Sequence, residues 1–252
     1  MTVSPGEGRF ATTAPEDLVH PAAEVLEVGE MEVHGRIAGS SNATLLVTCR
    51  LGEDELLAVY KPAKGERPLW DFPTGLHRRE VAAYVLSEAL GWGVVPETVD
   101  REDAPFGRGA VQRFVPEDGC SHYFTLREDP VWYEELTLIC AFDVVANNAD
   151  RKSGHVLLAE ERLWAIDNGL CFHYQSKLRT VIWDFAGTEL TEPQRAALGR
   201  VARGELHDEL AELLDDDELR AMRRRAGALA KEGTLPEPDD DGRWPPYPWP
   251  LV

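Results

Sequence analysis

Basic residues are the scarce charge in this chain: 26 Lys and Arg face 45 Asp and Glu, a formal net charge of −19 over 252 residues. A surface so negative repels nucleic-acid phosphates and anionic headgroups, so neither nucleic acid nor membrane is expected as a partner. Cysteine is also sparse. Cys49, Cys120, Cys140 and Cys171 form no CxxC pair, which argues against a structural zinc site, and three of them lie in apolar stretches. That usage suits reduced, mostly buried thiols in a cytoplasmic protein rather than a disulfide frame. Long hydrophobic runs are missing too, since the longest, Leu136–Phe142, is far short of a bilayer span. Residues 1–10 have no basic region leading into an apolar core, so no secretory leader is expected. With 43% hydrophobic residues the chain can still build a sizeable core, as one large domain or as two small lobes sharing a cleft.

Punctuation by Gly, Pro and charge divides the chain into four stretches. Residues 1–20 read as a loose arm and residues 21–115 as a β-rich lobe. In that lobe Glu24–His34 reads as β-type and leads through Arg36–Ile37 into a Gly39-Ser40-Ser41-Asn42 turn. Ala43–Arg50 and Leu56–Lys61 then form a meander around Gly52. His77–Leu90 has helical period, and Val94–Val99 and Gly109–Phe114 read as strands. Residues 116–235 read as a mostly helical lobe. It has helices over Tyr133–Asn147, Glu192–Leu213 and Asp216–Glu232, and a hairpin turning at Glu160–Glu161. Arg223-Arg224-Arg225 is expected on a solvated helix face. Residues 236–252 are acidic and then rich in Pro and Trp. Their rings are expected either to pack back on the helical lobe or to dock a protein partner.

Five elements carry chemistry. An apolar helix runs into the dense polar loop Asn147-Asn148-Ala149-Asp150-Arg151-Lys152-Ser153-Gly154-His155 and then directly into a strand. Asp167 follows the apolar run Trp164-Ala165-Ile166, with Gly169 two residues on. Two acids beside buried strands are costly to desolvate unless cations compensate them, and a metal ion between them would do so. Lys61 ends an apolar strand, and Glu80 lies in the first turns of the following helix, which allows a strand-to-helix Lys–Glu pair. The Gly39-Ser40-Ser41-Asn42 turn offers backbone N–H groups and hydroxyls that could cradle phosphate. In this order they are the parts of a kinase-type phosphotransferase.

Tyr60-Lys61-Pro62, Asn148-Ala149-Asp150-Arg151 and Ile166-Asp167-Asn168-Gly169 resemble the phosphatidylinositol 3-/4-kinase-like superfamily, notably its small actinobacterial members. The layout is also similar to HipA-type kinases. The resemblance spans roughly residues 30–185. It implies an α+β, bilobal protein-kinase-like fold with an N-terminal antiparallel sheet lobe and a mostly helical C-terminal lobe. It implies ATP and a divalent cation, Mg²⁺ or Mn²⁺, as cofactors. Lys61 would then contact the α- and β-phosphates and pair with Glu80. Asp150 would orient or deprotonate the acceptor hydroxyl, and Asp167 would bind metal. Gly39, Ser40, Ser41 and Asn42 would cover the phosphates, and the Gln112-Arg113-Phe114-Val115 strand end would hold the adenine edge.

One position departs from the family pattern. Five residues after Asp150 the family carries Asn, a second metal ligand, and here stands His155. Imidazole suits softer ions than magnesium, so manganese preference, a weak second metal site, or nucleotide binding without efficient turnover all follow as readings. The expected acceptor is a hydroxyl of a protein Ser/Thr or a soluble small molecule. A lipid is disfavoured by the charge and by the lack of a basic amphipathic helix. The alternatives are a nucleotide-binding pseudokinase that regulates a partner, and an enzyme that transfers AMP.

Overall fold

Alternating apolar residues in the first half of the chain pair into one sheet; the computed structural model describes residues 2–3, 12–38, 42–117, 119–205, 208–239 and 245–252. Gly39, Ser40 and Ser41 of the expected phosphate turn lie outside the described residues. The chain divides into two compact units, one of Met1–Val81 with Pro96–Gly119 and one of Ala82–Val95 with Cys120–Val252.

The first unit holds β1 (Thr2–Val3), β2 (Glu30–Ile37), β3 (Leu45–Leu51), β4 (Asp54–Pro62), β5 (Thr98–Arg101) and β6 (Gly109–Arg113). They are ordered β1-β2-β3-β4-β6-β5. Among the described residues of this sheet only β1 pairs parallel, with β2; the other ladders are antiparallel. Gly52, at φ 62, makes the turn between β3 and β4. The β-type reading of Glu24–His34 is corrected in its first half, because α1 (Ala22–Val28) is a helix. Its adjacent Val25 and Leu26 are fully buried among Val47, Cys49, Leu56, Ala58 and Tyr60. The Arg101 guanidinium donates to the Leu26 carbonyl at 3.1 Å. Seven residues are too few for periodicity to declare itself, and tertiary docking decides the conformation. The next helix, α2 (Leu76–Leu90), belongs to the first unit up to Val81 and to the second beyond it.

The second unit contains α3 (Tyr123–Leu126), α4 (Tyr133–Ala146), the hairpin β7 (Val156–Ala159) and β8 (Arg162–Ala165), then α5 (Glu192–Ala202), α6 (Glu209–Leu213) and α7 (Asp216–Glu232). The single helix expected over Glu192–Leu213 is two, with Gly204 at φ 82 following α5. A reciprocal capping box starts α7: Asp215 accepts from the Glu218 amide at 2.9 Å, and Glu218 accepts from the Asp215 amide at 3.0 Å. The solvated reading of the arginine cluster fails at Arg225, whose Nε donates to the Val145 carbonyl at 2.8 Å. Burial lowers its pKa to about 10. Residues 245–252 fold back onto this unit with Pro248 buried, although Trp249 is 88% exposed. No helix among the described residues is long and apolar enough to cross a membrane.

Candidate functional site

In the first unit β4 carries Lys61 between β3 and β6, and the Nζ of Lys61 lies 2.5 Å from Oε1 of Glu80 on α2. The structure thus brings this sequence-predicted pair together. Glu80 is almost fully buried, while the Lys61 side chain keeps 21% of its surface. A second pair fixes the loop before α2. Glu66 accepts from the His77 ring Nδ1 at 2.6 Å, from the His77 amide at 2.8 Å and from the Gly75 amide at 3.0 Å. Burial pushes the Glu66 carboxyl up, but the His77 ring and the amides of His77, Leu76 and Gly75 outweigh it and hold the pKa at about 2. Asn42, the described member of the expected phosphate turn, accepts from the Arg67 amide at 3.1 Å and, through its carbonyl, from Arg36 at 3.1 Å.

The expected adenine-binding strand end is largely committed to the fold. The Gln112 side chain is buried and donates to Thr98 Oγ1 at 2.8 Å. The Phe114 amide donates to the Leu57 carbonyl at 2.9 Å, and the Val115 carbonyl accepts from the Glu117 amide at 3.0 Å.

In the second unit α4 stops at Asn147, which takes the left-handed conformation at φ 56. Its side chain donates to the carbonyls of His173 and Gln175 at 2.8 and 2.7 Å and accepts from the Lys177 amide at 2.9 Å. Asn148 accepts from the Asp150 amide at 2.9 Å, an Asx turn that sets the direction of Asp150. Both asparagines therefore pin loop backbone. Beneath them lies a fully buried ion pair. The Nε of Arg151 is 3.1 Å from both Asp143 oxygens, and its Nη2 is 2.9 Å from Oδ1. The same guanidinium donates to the Ile166 carbonyl and to Asn168 Oδ1, each at 2.6 Å. Those two acceptors flank Asp167, so Arg151 ties the Asp150 loop to the Asp167 loop.

Asp167 itself is left-handed at φ 57, a conformation that Asp and Asn tolerate better than other side chains. Burial raises the pKa of Asp150 and the charge of Asp167 adds to the rise, while Lys152 and Arg179 oppose it. Lys152 Nζ is 3.0 Å from Asp150 Oδ2. His155 Nε2 is 3.5 Å from Asp167 Oδ2, and the Lys152 amide donates to His155 Nδ1 at 3.4 Å. That donation places the lone pair on Nδ1 and the proton of the neutral ring on Nε2, facing Asp167.

No protein-family model matches the chain. Protein Rv2133c of Mycobacterium tuberculosis (strain ATCC 25618 / H37Rv) is 38% identical over 264 residues, which cover 90% of this chain and 94% of that protein. The chain belongs to the Rv2133c family. Among solved structures, the Golgi casein kinase with Mn/ADP bound matches this Rv2133c-family chain with a TM-score of 0.57 at 17% identity, over 83% of this chain and 74% of the other. A further crystal structure of the Golgi casein kinase gives 0.55 at 16% identity, over 83% and 72%. At that identity the likeness shows fold: the Rv2133c-family chain has the bilobal, protein-kinase-like α+β fold expected from its motifs.

Three positioning residues of this family member escaped the reading of the sequence: Asp143, Thr180 and the part of Arg151 that faces inward. Thr180 donates its hydroxyl to Asp143 at 3.1 Å from 37 residues away. A signal for Asp143 existed. A lone acid inside Cys140-Ala141-Phe142-Asp143-Val144-Val145 must find a buried cation, and Arg151 lies eight residues on.

Proposed function

We propose that this chain is an ATP-dependent kinase that transfers the γ-phosphate to a hydroxyl of a protein Ser/Thr or a soluble small molecule. One observation carries the reading: Arg151 bolts two loops together so that Asp150 and Asp167 are held within repelling distance of each other, one a base candidate and one a metal-ligand candidate. Paired acids on fixed loops are what phosphoryl transfer requires, because its catalysis is mostly positioning and charge stabilisation. Asp150, with its pKa raised by burial, is suited to accept the acceptor's proton. Lys61, aimed by Glu80, would hold the α- and β-phosphates, with Asn42 beside the phosphate turn. The motifs Asn148-Ala149-Asp150-Arg151 and Ile166-Asp167-Asn168-Gly169 resemble those of the phosphatidylinositol 3-/4-kinase-like group and support a kinase of that kind. Its net charge of −19 favours a soluble acceptor over a lipid.

Among the described residues no group of three or more His, Cys, Asp or Glu is placed to hold a metal ion. Asp167 and His155 supply two donors, which fits a cation that arrives with the nucleotide and completes its shell with phosphate oxygens and water. Bound there, it would neutralise charge on the phosphate oxygens. For His155 to ligate through Nε2, its proton must move to Nδ1 and the Lys152 amide contact must be given up. A nitrogen–oxygen set favours Mn²⁺ over Mg²⁺.

The Lys152–Asp150 ion pair and the engaged His155 favour one second reading, a nucleotide-binding pseudokinase. Purified chain with ATP and Mg²⁺ or Mn²⁺ separates the two. A kinase consumes ATP, and Asp150→Asn and Asp167→Asn abolish this; equal behaviour of all three sinks the kinase reading. Thermal stabilisation by ATP and metal without ATP consumption selects the pseudokinase. An added adenylyl rather than phosphoryl mass on the product would select AMP transfer.

A further inference from the structure

Behind the Asp150 loop lies a second layer, and behind that a third. Arg151 donates its amide to the Arg179 carbonyl at 3.0 Å and accepts from the Val181 amide at 3.1 Å, a short parallel bridge. Between those two residues the Thr180 amide points the other way, onto the Pro246 carbonyl at 3.1 Å. The Pro246 carbonyl also accepts from Trp183 Nε1 at 3.0 Å. Five residues later the Leu251 carbonyl accepts from the Ser153 amide at 2.9 Å, directly on the Asp150 loop. Segment 245–252 therefore grips the loop twice: through Thr180, whose hydroxyl supports Asp143, and at Ser153. Pro248, buried between the two grips, anchors it.

Proline-rich backbone is well suited to this task, since its fixed φ costs little entropy to order and its carbonyls remain free to accept. The segment also walls a pocket of about 280 Å³ with Tyr247 and Leu251, opposite Phe124, Arg127 and Trp183.

We propose that segment 245–252 is a positioning strut for Asp150, which holds the base in register for turnover and takes no part in nucleotide binding. The inference deepens the kinase reading and rests on it. Displacing the strut lets the loop relax by a fraction of an ångström to an ångström, a misplacement of the kind that costs about 10²-fold in rate.

The test uses the full chain carrying Pro248→Asp, which places a charge at the buried anchor. The expected result is a kcat lower by about 10²-fold, an unchanged KM for ATP and unchanged thermal stabilisation by ATP with Mn²⁺. Amide exchange should accelerate at Ser153 and Thr180. A synthetic peptide of residues 245–252 added in trans should restore rate and protection, and a scrambled peptide should not. Should Pro248→Asp fail to fold, Trp183→Phe removes the indole hydrogen bond to the Pro246 carbonyl, keeps an aromatic ring at the position and gives the same pattern at smaller amplitude. Equal kcat in wild type and variant overturns the strut and leaves the kinase reading standing. Unchanged exchange at both amides overturns it whatever the activity. Absence of turnover in wild type, with protection still dependent on the anchor, sinks the kinase reading and with it the strut's catalytic role.

Discussion

Each unit joins two chain segments with an acid–base pair, and the two pairs are built on opposite terms. Lys61 meets Glu80 with 21% of its side chain still accessible, whereas Arg151 and Asp143 have no accessible surface at all. Arg151 spends its donors on Asp143, Asn168 and the carbonyls of His155 and Ile166. The Lys61 side chain keeps part of its surface accessible beside its contact with Glu80. The lesson is that an acid–base pair can be left partly open, as at Lys61, or enclosed among several acceptors, as at Arg151. Burial pushes the Asp143 carboxyl up, and Arg151, Thr180 and Asn148 together oppose it, so that pair needs all of its members.

The comparison breaks most readily at Arg151. Arg151→Met strands Asp143 in the interior and should cost about 3–5 kcal/mol in urea unfolding, with the Asp143→Leu double mutant recovering much of it. Arg151→Lys should not rescue, because an ammonium cannot serve a fork of four acceptors. Next comes the double variant Lys61→Met with Glu80→Gln, which leaves neither charge stranded. Turnover should fall by about 10²-fold while stability moves by under about 1 kcal/mol. A stability loss as large as that of Arg151→Met would erase the distinction between the pairs.

A third test uses pH. The Glu66 carboxyl is drawn from its ordinary 4.5 down to about 2, so it stabilises the fold above 4.5 and loses that contribution as pH falls toward 2. Glu66→Gln should be less stable at neutral pH by about 1–2 kcal/mol, with a flatter acid limb, read from thermal unfolding between those pH values. The smallest effect is expected at His155. Replacement by Asn should raise the Mg²⁺ to Mn²⁺ rate ratio by about three- to tenfold, and a ratio that does not move would remove His155 from the metal shell.

Which of these pairs could be read from the sequence follows from their physics. Lys61 and Glu80 lie at the ends of strongly patterned elements nineteen residues apart, so each could be placed on a face before the two were seen together. Asp150 and Asp167 are marked by the apolar runs that precede them. Asp143, Thr180 and Arg225 draw their meaning from partners that local pattern does not announce: Thr180 reaches Asp143 across 37 residues, and Arg225 reaches Val145 across 80. The short α1 was misread for a related reason, since its conformation is settled by the sheet that buries Val25 and Leu26 and by no period of its own. The rings of residues 236–252 are expected to pack back or to dock a partner; the backbone of 245–252 does return, but Tyr247 and Trp249 stay exposed and the grips are backbone carbonyls, which composition does not reveal.

Asn168-Gly169 is the dipeptide at which a mobile chain ages fastest, because the glycine amide can turn on the side-chain carbonyl and close a succinimide. Here the Asn168 amide group is fixed at both ends, with Nδ2 donating to the Ala165 carbonyl at 3.0 Å and Oδ1 held by Arg151 at 2.6 Å. Ring closure brings the Gly169 amide nitrogen onto the Asn168 side-chain carbonyl carbon, and any movement of that side chain is opposed by these two bonds. Slow deamidation at Asn168 on storage therefore becomes a chemical clock for how often the two acidic loops come apart, readable by mass without any substrate.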